Sequence, residues 1–407
     1  MMKYFKYLVL LTGLFMAAHS QAQHLFEHTY PVLHEEDVKV RALIDSVSKD
    51  RLAGTIDHLQ SYHTRRWDSR MVYEVQDWLY DSYVDMGFDT VFLHDFVFTH
   101  HDTLYETSDN VIAVQRGTLY PEEYVVCGAH YDSYNNSAGH PDSLRAPGAD
   151  DNASGVAGVM EMARLLSGQR FERSILFCHW AAEEPGLKGS AAFAKDCAEA
   201  MVDIVGYFNL DMIGYLEEGS DIHVHLMYTT RDSIIAKYVY NFSHVYFPGM
   251  SIHQNWLSWG DSDYSSFNRN GYAAVHTFED VHASSPFIHT TDDVLGVSVN
   301  NMDQVQRFTE LNLGLVATLA GLVNTSVDEL DADGLVVCPN PASGLLTVKG
   351  VDIRQVEIYD LLGRIVLKNP CYGEEVLLDL SSLAAGVYVV RVTDATMNVH
   401  SHRVVTY

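Results

Sequence analysis

Apolar residues at helical spacing open the patterned part of the chain, and nearly unbroken apolar runs follow. Residues 36–49 (Val38, Leu43, Ile44, Val47), 51–62 (Leu52, Ile56, Leu59) and 71–86 carry apolar positions three or four apart, which predicts three helices. Two extended segments rich in Val and Phe come next, 90–99 and 111–115. Four apolar runs, 124–129, 175–182, 204–210 and 272–278, then alternate with helical patterns at 155–166, 190–200 and 231–242, and a last helical pattern covers 302–323. Strands without polar alternation are buried on both faces. The expected fold is therefore α/β, with a mixed, mostly parallel sheet flanked by helices.

The pattern changes beyond residue 324. Residues 325–334 are Asp-rich and aperiodic, and their acids do not fill an EF-hand calcium loop, so the segment reads as a solvated linker. Within 335–407, short alternating runs at 345–348, 355–359, 364–367, 376–380, 386–392 and 402–406 are separated by turn residues. That pattern predicts a small antiparallel β-sandwich. At the other end, Lys3 and Lys6 precede an apolar stretch over 7–18 and the small residues Ser20-Gln21-Ala22. An export signal over 1–22 is expected, with 23–324 as the main domain. No later segment keeps about 18 apolar residues without charge, so no transmembrane anchor is expected.

Composition narrows the partners. The formal charge is -28, from 54 acidic and 26 basic residues, which argues against nucleic acid or an anionic membrane. Acids gathered in one cleft would instead favour metals and protonated amines. Five cysteines are an odd and sparse set for a stapled scaffold, and Cys127 and Cys178 fall inside predicted core strands, so no disulfide is assigned. With no Cys-x-x-Cys and no zinc-finger spacing, a metal site must come from His and carboxylates.

Those residues stand where the apolar runs end. His130-Tyr131-Asp132 follows the first run, Glu183-Glu184 the second and Asp211 the third; Asp150-Asp151-Asn152 sits where a loop enters a helix, and Ile288-His289 follows the last strand. In an open α/β sheet the ligand site lies outside the carboxyl ends of the strands. As a lone dipeptide Glu-Glu reads as a solvated helix face, and Asp-Asp before a helix reads as a cap. Together, one Asp of the 150–151 pair reads as a bridge between two ions. Asp132, two residues from His130, can set the tautomer that leaves the other ring nitrogen for metal. One of the adjacent glutamates can bind metal while the other takes a proton from water, as hydrolysis requires. An oxygen-rich site with two histidines suits zinc, with cobalt or manganese able to substitute.

The elements His130-Tyr131-Asp132-Ser133, Gly148-Ala149-Asp150-Asp151-Asn152-Ala153-Ser154-Gly155, Glu183-Glu184-Pro185-Gly186-Leu187-Lys188-Gly189-Ser190, Asn209-Leu210-Asp211-Met212 and His289-Thr290-x-x-Asp293 resemble the co-catalytic zinc aminopeptidase family in order and spacing. The resemblance implies two zinc ions per chain. His130 and Asp211 would hold one, Glu184 and His289 the other, and Asp151 would bridge them. Glu183 would be the general base and acid, and Asp132 would orient His130. Peptides with a free N-terminus would be the substrates. Members often carry Tyr before the last His, where this chain has Ile288. Trp259-Gly260-Asp261-Ser262-Asp263 resembles a cleft-lining segment, with Tyr264 in place of the usual His, and makes Asp263 a candidate substrate contact or a loop cap.

The tail also resembles a known module. Cys338-Pro339-Asn340-Pro341, Val356-Glu357-Ile358-Tyr359-Asp360, Leu383-Ala384-Ala385-Gly386-Val387-Tyr388 and Arg403-Val404-Val405 are similar to the C-terminal sorting domain of the type IX (Por) secretion system, with Arg403 where Lys is commoner. It implies passage through outer-membrane secretion machinery to the cell surface or medium. A glutaminyl cyclase has a similar fold and Glu pair, but its family lacks the first His ligand that His130 supplies here. A carboxypeptidase would need a cationic clamp for a terminal carboxylate, and none is evident. A non-catalytic surface binding protein would be marked by a missing ligand or base.

Overall fold

Asp37 starts the first helix by accepting hydrogen bonds from the backbone N–H of Lys39 and Val40, and Ser48 caps the second through the N–H of Arg51. The computed structural model describes residues 24–256, 260–323, 336–340, 342, 344–360, 363–395 and 399–406; the expected export signal, the expected linker and Trp259 lie outside the described residues. Two units divide between Val323 and Asn324.

In the first unit, helices α1 (Val38–Ile44), α2 (Lys49–Ser61) and α3 (Met71–Asp85) precede strands β1 (Thr90–His94), β2 (Val97–His100), β3 (Thr103–Glu106), β4 (Asn110–Gln115) and β5 (Tyr120–His130). Then come α4 (Gly155–Leu166), β6 (Arg173–Trp180), α5 (Lys188–Glu199), β7 (Asp203–Leu210), β8 (His223–Tyr228), α6 (Ser233–Tyr246), β9 (Ser251–Trp256), α7 (Tyr264–Arg269), β10 (Ala274–Phe278) and α8 (Met302–Leu319). Eight strands form one sheet in the order β1-β4-β6-β5-β7-β10-β8-β9, while β2 and β3 pair separately. The central strands β6, β5, β7 and β10 run parallel to one another. Antiparallel pairs join β1 to β4, β4 to β6 and β10 to β8.

Alternate residues of each strand enter opposite cores. Val125, Cys127, Ala129, Ile175 and Phe177 pack with Leu52, Val72, Val156, Ile235 and Leu311 of the helices on one face. Val126, Leu176, Cys178 and Trp180 pack with Phe193 of α5 and Phe267 of α7 on the other. Burial on both faces explains why these strands read as continuous apolar runs. Cys127, Cys178, Cys197 and Cys338 are free thiols. No helix among the described residues is long and apolar enough to cross a membrane.

Strands β8 and β9, the last two in the sheet order with β9 at the edge, lack a continuous apolar run, His-Val-His and Ile-His-Gln interrupting it, so periodicity did not place them. In the second unit, β11 (Val336–Cys338), β12 (Leu345–Tyr359), β13 (Ile365–Asp379), β14 (Gly386–Asp394) and β15 (Val399–Thr406) pair antiparallel in one five-stranded sheet. The short runs expected at 345–348 and 355–359 are the two ends of β12, which shifts register between Lys349 and Ile353. Val348, Val356, Val376, Val390 and Val404 share its core.

Candidate metal centre

Neighbouring parallel strands bring the predicted chemistry to one rim. β5 ends on His130, β6 leads through Ala181-Ala182 to Glu183-Glu184, and β7 ends at Leu210, next to Asp211. A fourth element, the turn Ala149–Ser154, enters α4 with Asp151 (φ -108, ψ 89) and Asn152 (φ -136, ψ 45) outside helical geometry. The Asn152 amide donates to the Leu210 carbonyl (3.0 Å) and accepts from the Gly155 N–H (2.9 Å), which ties this turn to the end of β7. Gly155 is required by that contact, since a Cβ there would lie 2.3 Å from the Leu210 oxygen. His289, at φ 57, stands on the loop after β10.

Asp151 lies between two histidines. Its Oδ1 is 3.1 Å from His130 Nε2 and its Oδ2 is 3.0 Å from His289 Nε2. Asp211 Oδ1 approaches His130 Nε2 at 3.4 Å, and Glu184 Oε2 approaches His289 Nε2 at 3.1 Å. Two clusters therefore share Asp151, namely His130, Asp151 and Asp211, and Asp151, Glu184 and His289. Glu184 Oε1 and Asp211 Oδ1 are buried and make no hydrogen bond. A buried acceptor without a donor is costly, and these two face a set of carboxylates and imidazoles whose chemistry fits divalent cations.

The electrostatics point the same way. Burial works against charge on His130, but Asp211, Glu183, Asp132 and Asp151 together hold its pKa well above the usual imidazole range. His289 is likewise held up to about 11, where its bonds to Asp151 and Glu184 outweigh burial. Burial pushes Glu184 up to about 8 and raises Glu183 strongly, with Asp263, Glu184 and Asp211 adding to the rise at Glu183. A rim this rich in buried negative charge draws protons onto its imidazoles. A divalent cation would relieve the same charge and leave the imidazoles neutral, as ligands.

Asp132 is fully buried and does more than face His130. His130 Nδ1 lies 3.2 Å from the Asp132 carbonyl and 3.5 Å from Oδ1, an arrangement that places the ring proton on Nδ1 and turns Nε2 toward Asp151 and Asp211. Oδ1 and Oδ2 accept the backbone N–H groups of Glu183 (3.0 Å) and Glu184 (3.2 Å). Asp293 treats the other acidic pair alike, accepting from the N–H of Asp150 (2.8 Å) and of Asp151 (3.2 Å). Asp150 belongs to neither cluster; its Oδ1 accepts from the Gly214 N–H at 2.9 Å.

Two supports were not anticipated from sequence. Arg65, fully buried, donates to the carbonyls of Tyr131 (2.9 Å), Leu59 (3.1 Å), Pro147 and Gly148 (2.8 Å), joining the β5 end to the Asp151 turn. A chain of hydrogen bonds reaches Asp211: Trp180 Nε1 donates to the Tyr207 hydroxyl, which donates to Asn209 Oδ1; Asn209 Nδ2 donates to Ser262 Oγ, which donates to Asp211 Oδ2 at 2.7 Å. Asp263 is fully buried beside Ser262, does not cap α7 with its side chain, and burial pushes it up to about 7. Tyr134 packs edge-on against His289 at 5.3 Å and carries the Arg66 guanidinium on its ring.

Residues 110–316 match the model described as peptidase family M28, and residues 336–406 match the secretion system C-terminal sorting domain. The chain is 27% identical over 296 residues to leucine aminopeptidase 1 of Emericella nidulans, covering 69% of this chain and 73% of that protein. The fold is similar to LapA aminopeptidase of Legionella pneumophila (TM-score 0.61, 23% identity, 74% of this chain and 78% of that one). It is also similar to glutaminyl cyclase of Porphyromonas gingivalis (TM-score 0.55, 18% identity, 67% and 98%).

Proposed function

Since the chain belongs to peptidase family M28, we propose that it is a secreted two-zinc aminopeptidase that removes residues from the free N-termini of peptides, with Glu183 carrying the proton. The observation that carries the reading is the Asp151 carboxylate, with one oxygen on His130 and the other on His289. His130 and Asp211 would hold one zinc, His289 and Glu184 the other, and Asp151 both. Zinc, when bound, lowers the pKa of water toward about 7 and polarises a carbonyl.

The chain's own groups supply the rest. Burial raises the proton affinity of Glu183, so its carboxylate takes a proton from the attacking water and returns it to the leaving amine. Asp132 fixes the backbone of both glutamates, which lets two adjacent side chains diverge into separate roles. The acid-rich rim receives the substrate's protonated α-amine. Asp263, the candidate substrate contact, is fully buried beside Ser262. The sorting domain at 336–406, with an export signal at 1–22 and a linker at 325–334, would take the enzyme across the outer membrane.

The test is a panel of aminoacyl reporters, N-blocked controls and a peptide with N-terminal Gln, run beside zinc quantification of the wild type and Asp151→Ala. Cleavage of free but not blocked N-termini, lost in Asp151→Ala together with two equivalents of zinc, is expected. Cyclisation of the Gln peptide without reporter cleavage would overturn the reading.

A further inference from the structure

A second group of imidazoles lies on the outer strands of the sheet, apart from the rim. His223 and His225 are two apart on β8 and so share a face. His253 on β9 is the register partner of His225, and Phe278 of β10 pairs with His225 from the other side, two residues before Asp280. The Asp280 carboxylate spans the two β8 histidines, with Oδ2 3.2 Å from His223 Nε2 and Oδ1 3.3 Å from His225 Nε2. His253 stacks on His225 with ring centroids 4.9 Å apart and stands 5.1 Å from His223.

The far sides of the rings are engaged. His223 Nδ1 lies 2.8 Å from the Asp221 carbonyl, which fixes its proton there and leaves the Nε2 lone pair toward Asp280. His225 Nδ1 lies 2.7 Å from the Asn255 side-chain amide, whose oxygen can accept the Nδ1 proton once the amide rotates by half a turn. The His282 N–H donates to Asp280 Oδ1 at 2.8 Å. Side-chain exposures of 15%, 5% and 23% for His223, His225 and Asp280 leave an ion room to enter, yet far less water than a surface cluster has.

We propose that His223, His225 and Asp280 bind a third transition-metal ion of the zinc class. The ion would staple β8 to the segment after β10. That segment leads to the candidate metal centre: Glu279 accepts the N–H groups of Tyr215 (2.9 Å) and Ser285 (2.7 Å), and His289 follows four residues later. The staple would thus brace the base of the loop that carries His289.

The experiment is metal analysis of the full chain, stripped with chelator and dialysed against zinc. The His223→Ala/His225→Ala variant should hold one equivalent fewer than the wild type and still cleave the reporter. Asp151→Ala/Glu184→Gln, which disables the rim, should retain one equivalent, and cobalt(II) in that variant should show tetrahedral d–d bands. Asp280→Asn preserves side-chain size and carries the same expectation should the double alanine variant fail to fold. Equal zinc content in the wild type and Asp280→Asn, or a zinc-free Asp151→Ala/Glu184→Gln protein, would overturn the site without touching the aminopeptidase reading.

Discussion

Asp132 accepts the backbone N–H of Glu183 at 3.0 Å, although 51 residues separate them in the chain. The second oxygen of the same carboxylate takes the N–H of Glu184. One buried acid therefore positions the two adjacent glutamates on which the proposed chemistry rests. Asp132→Asn keeps the shape but replaces one acceptor with an NH2 group that meets a backbone donor. An orphaned buried donor costs about 1–3 kcal/mol, so kcat should fall roughly 10- to 100-fold, with smaller change in KM. Wild-type kcat in Asp132→Asn would exclude this positioning role.

Glu183→Gln separates metal binding from proton transfer. Glu184, His289 and Asp151 are untouched, so zinc content should match the wild type while hydrolysis falls by about 10²–10⁴-fold. The steep limb of the pH–rate profile that belongs to the base should vanish with it. A fully active, folded Glu183→Gln enzyme would assign the proton transfer elsewhere.

Much of this site was legible because buried parallel strands end where their apolar runs end, which by sequence alone puts His130, Glu183 and Asp211 at one rim. What escaped was long-range. Arg65 lies outside every apolar run and motif in the sequence, yet its guanidinium is buried against four carbonyls. The hold of Asp293 on the Asp150 and Asp151 N–H groups has no periodicity to betray it. Nor has the His223, His225 and Asp280 cluster, which is assembled by pairing β8 with β10. In the tail, periodicity located the paired residues but not the continuity of β12 through a register shift.

Ser262 is the last donor in the chain that begins at Trp180, and it meets Asp211 Oδ2 at 2.7 Å. Groups that hydrogen-bond a metal ligand typically contribute about 10–100-fold in affinity. Ser262→Ala should weaken zinc at the His130 and Asp211 position by that factor, read by competition with a chelating dye, and should lower the stability of the chelated protein by about 1–3 kcal/mol, because the buried Asn209 Nδ2 loses its acceptor. Unaltered zinc affinity in Ser262→Ala would show that the hydroxyl does not tune Asp211.

Removing the Arg65 guanidinium should be felt in stability as well as activity. Arg65→Leu leaves the carbonyls of Tyr131, Leu59 and Pro147 without the guanidinium donor, while that of Gly148 keeps the Ala153 N–H; a buried orphan costs about 1–3 kcal/mol each where water cannot reach it. A loss of at least about 3 kcal/mol in urea unfolding of the chelated protein is expected. Arg65→Lys, whose ammonium cannot spread its donors across the same fork, should fall between the two. A loss under about 1 kcal/mol in Arg65→Leu would mean that water replaces the guanidinium at this junction.

His179 gives the fold an acid limb of its own. Burial lowers its pKa to about 3, from an ordinary value of 6.5, and its Nε2 lies 2.8 Å from the Tyr83 hydroxyl. Below pH 6.5 the unfolded chain takes up a proton that the folded chain refuses until about pH 3. Stability therefore falls as pH falls through that window, at about 1.4 kcal/mol per pH unit for this one group. Urea unfolding of wild type and His179→Gln, both with chelator so that zinc release is common to the two, isolates the contribution. The difference in stability between them should shrink steadily from pH 6.5 to pH 4.5. A pH-independent difference would mean that His179 is protonated in the folded protein or masked in the unfolded one.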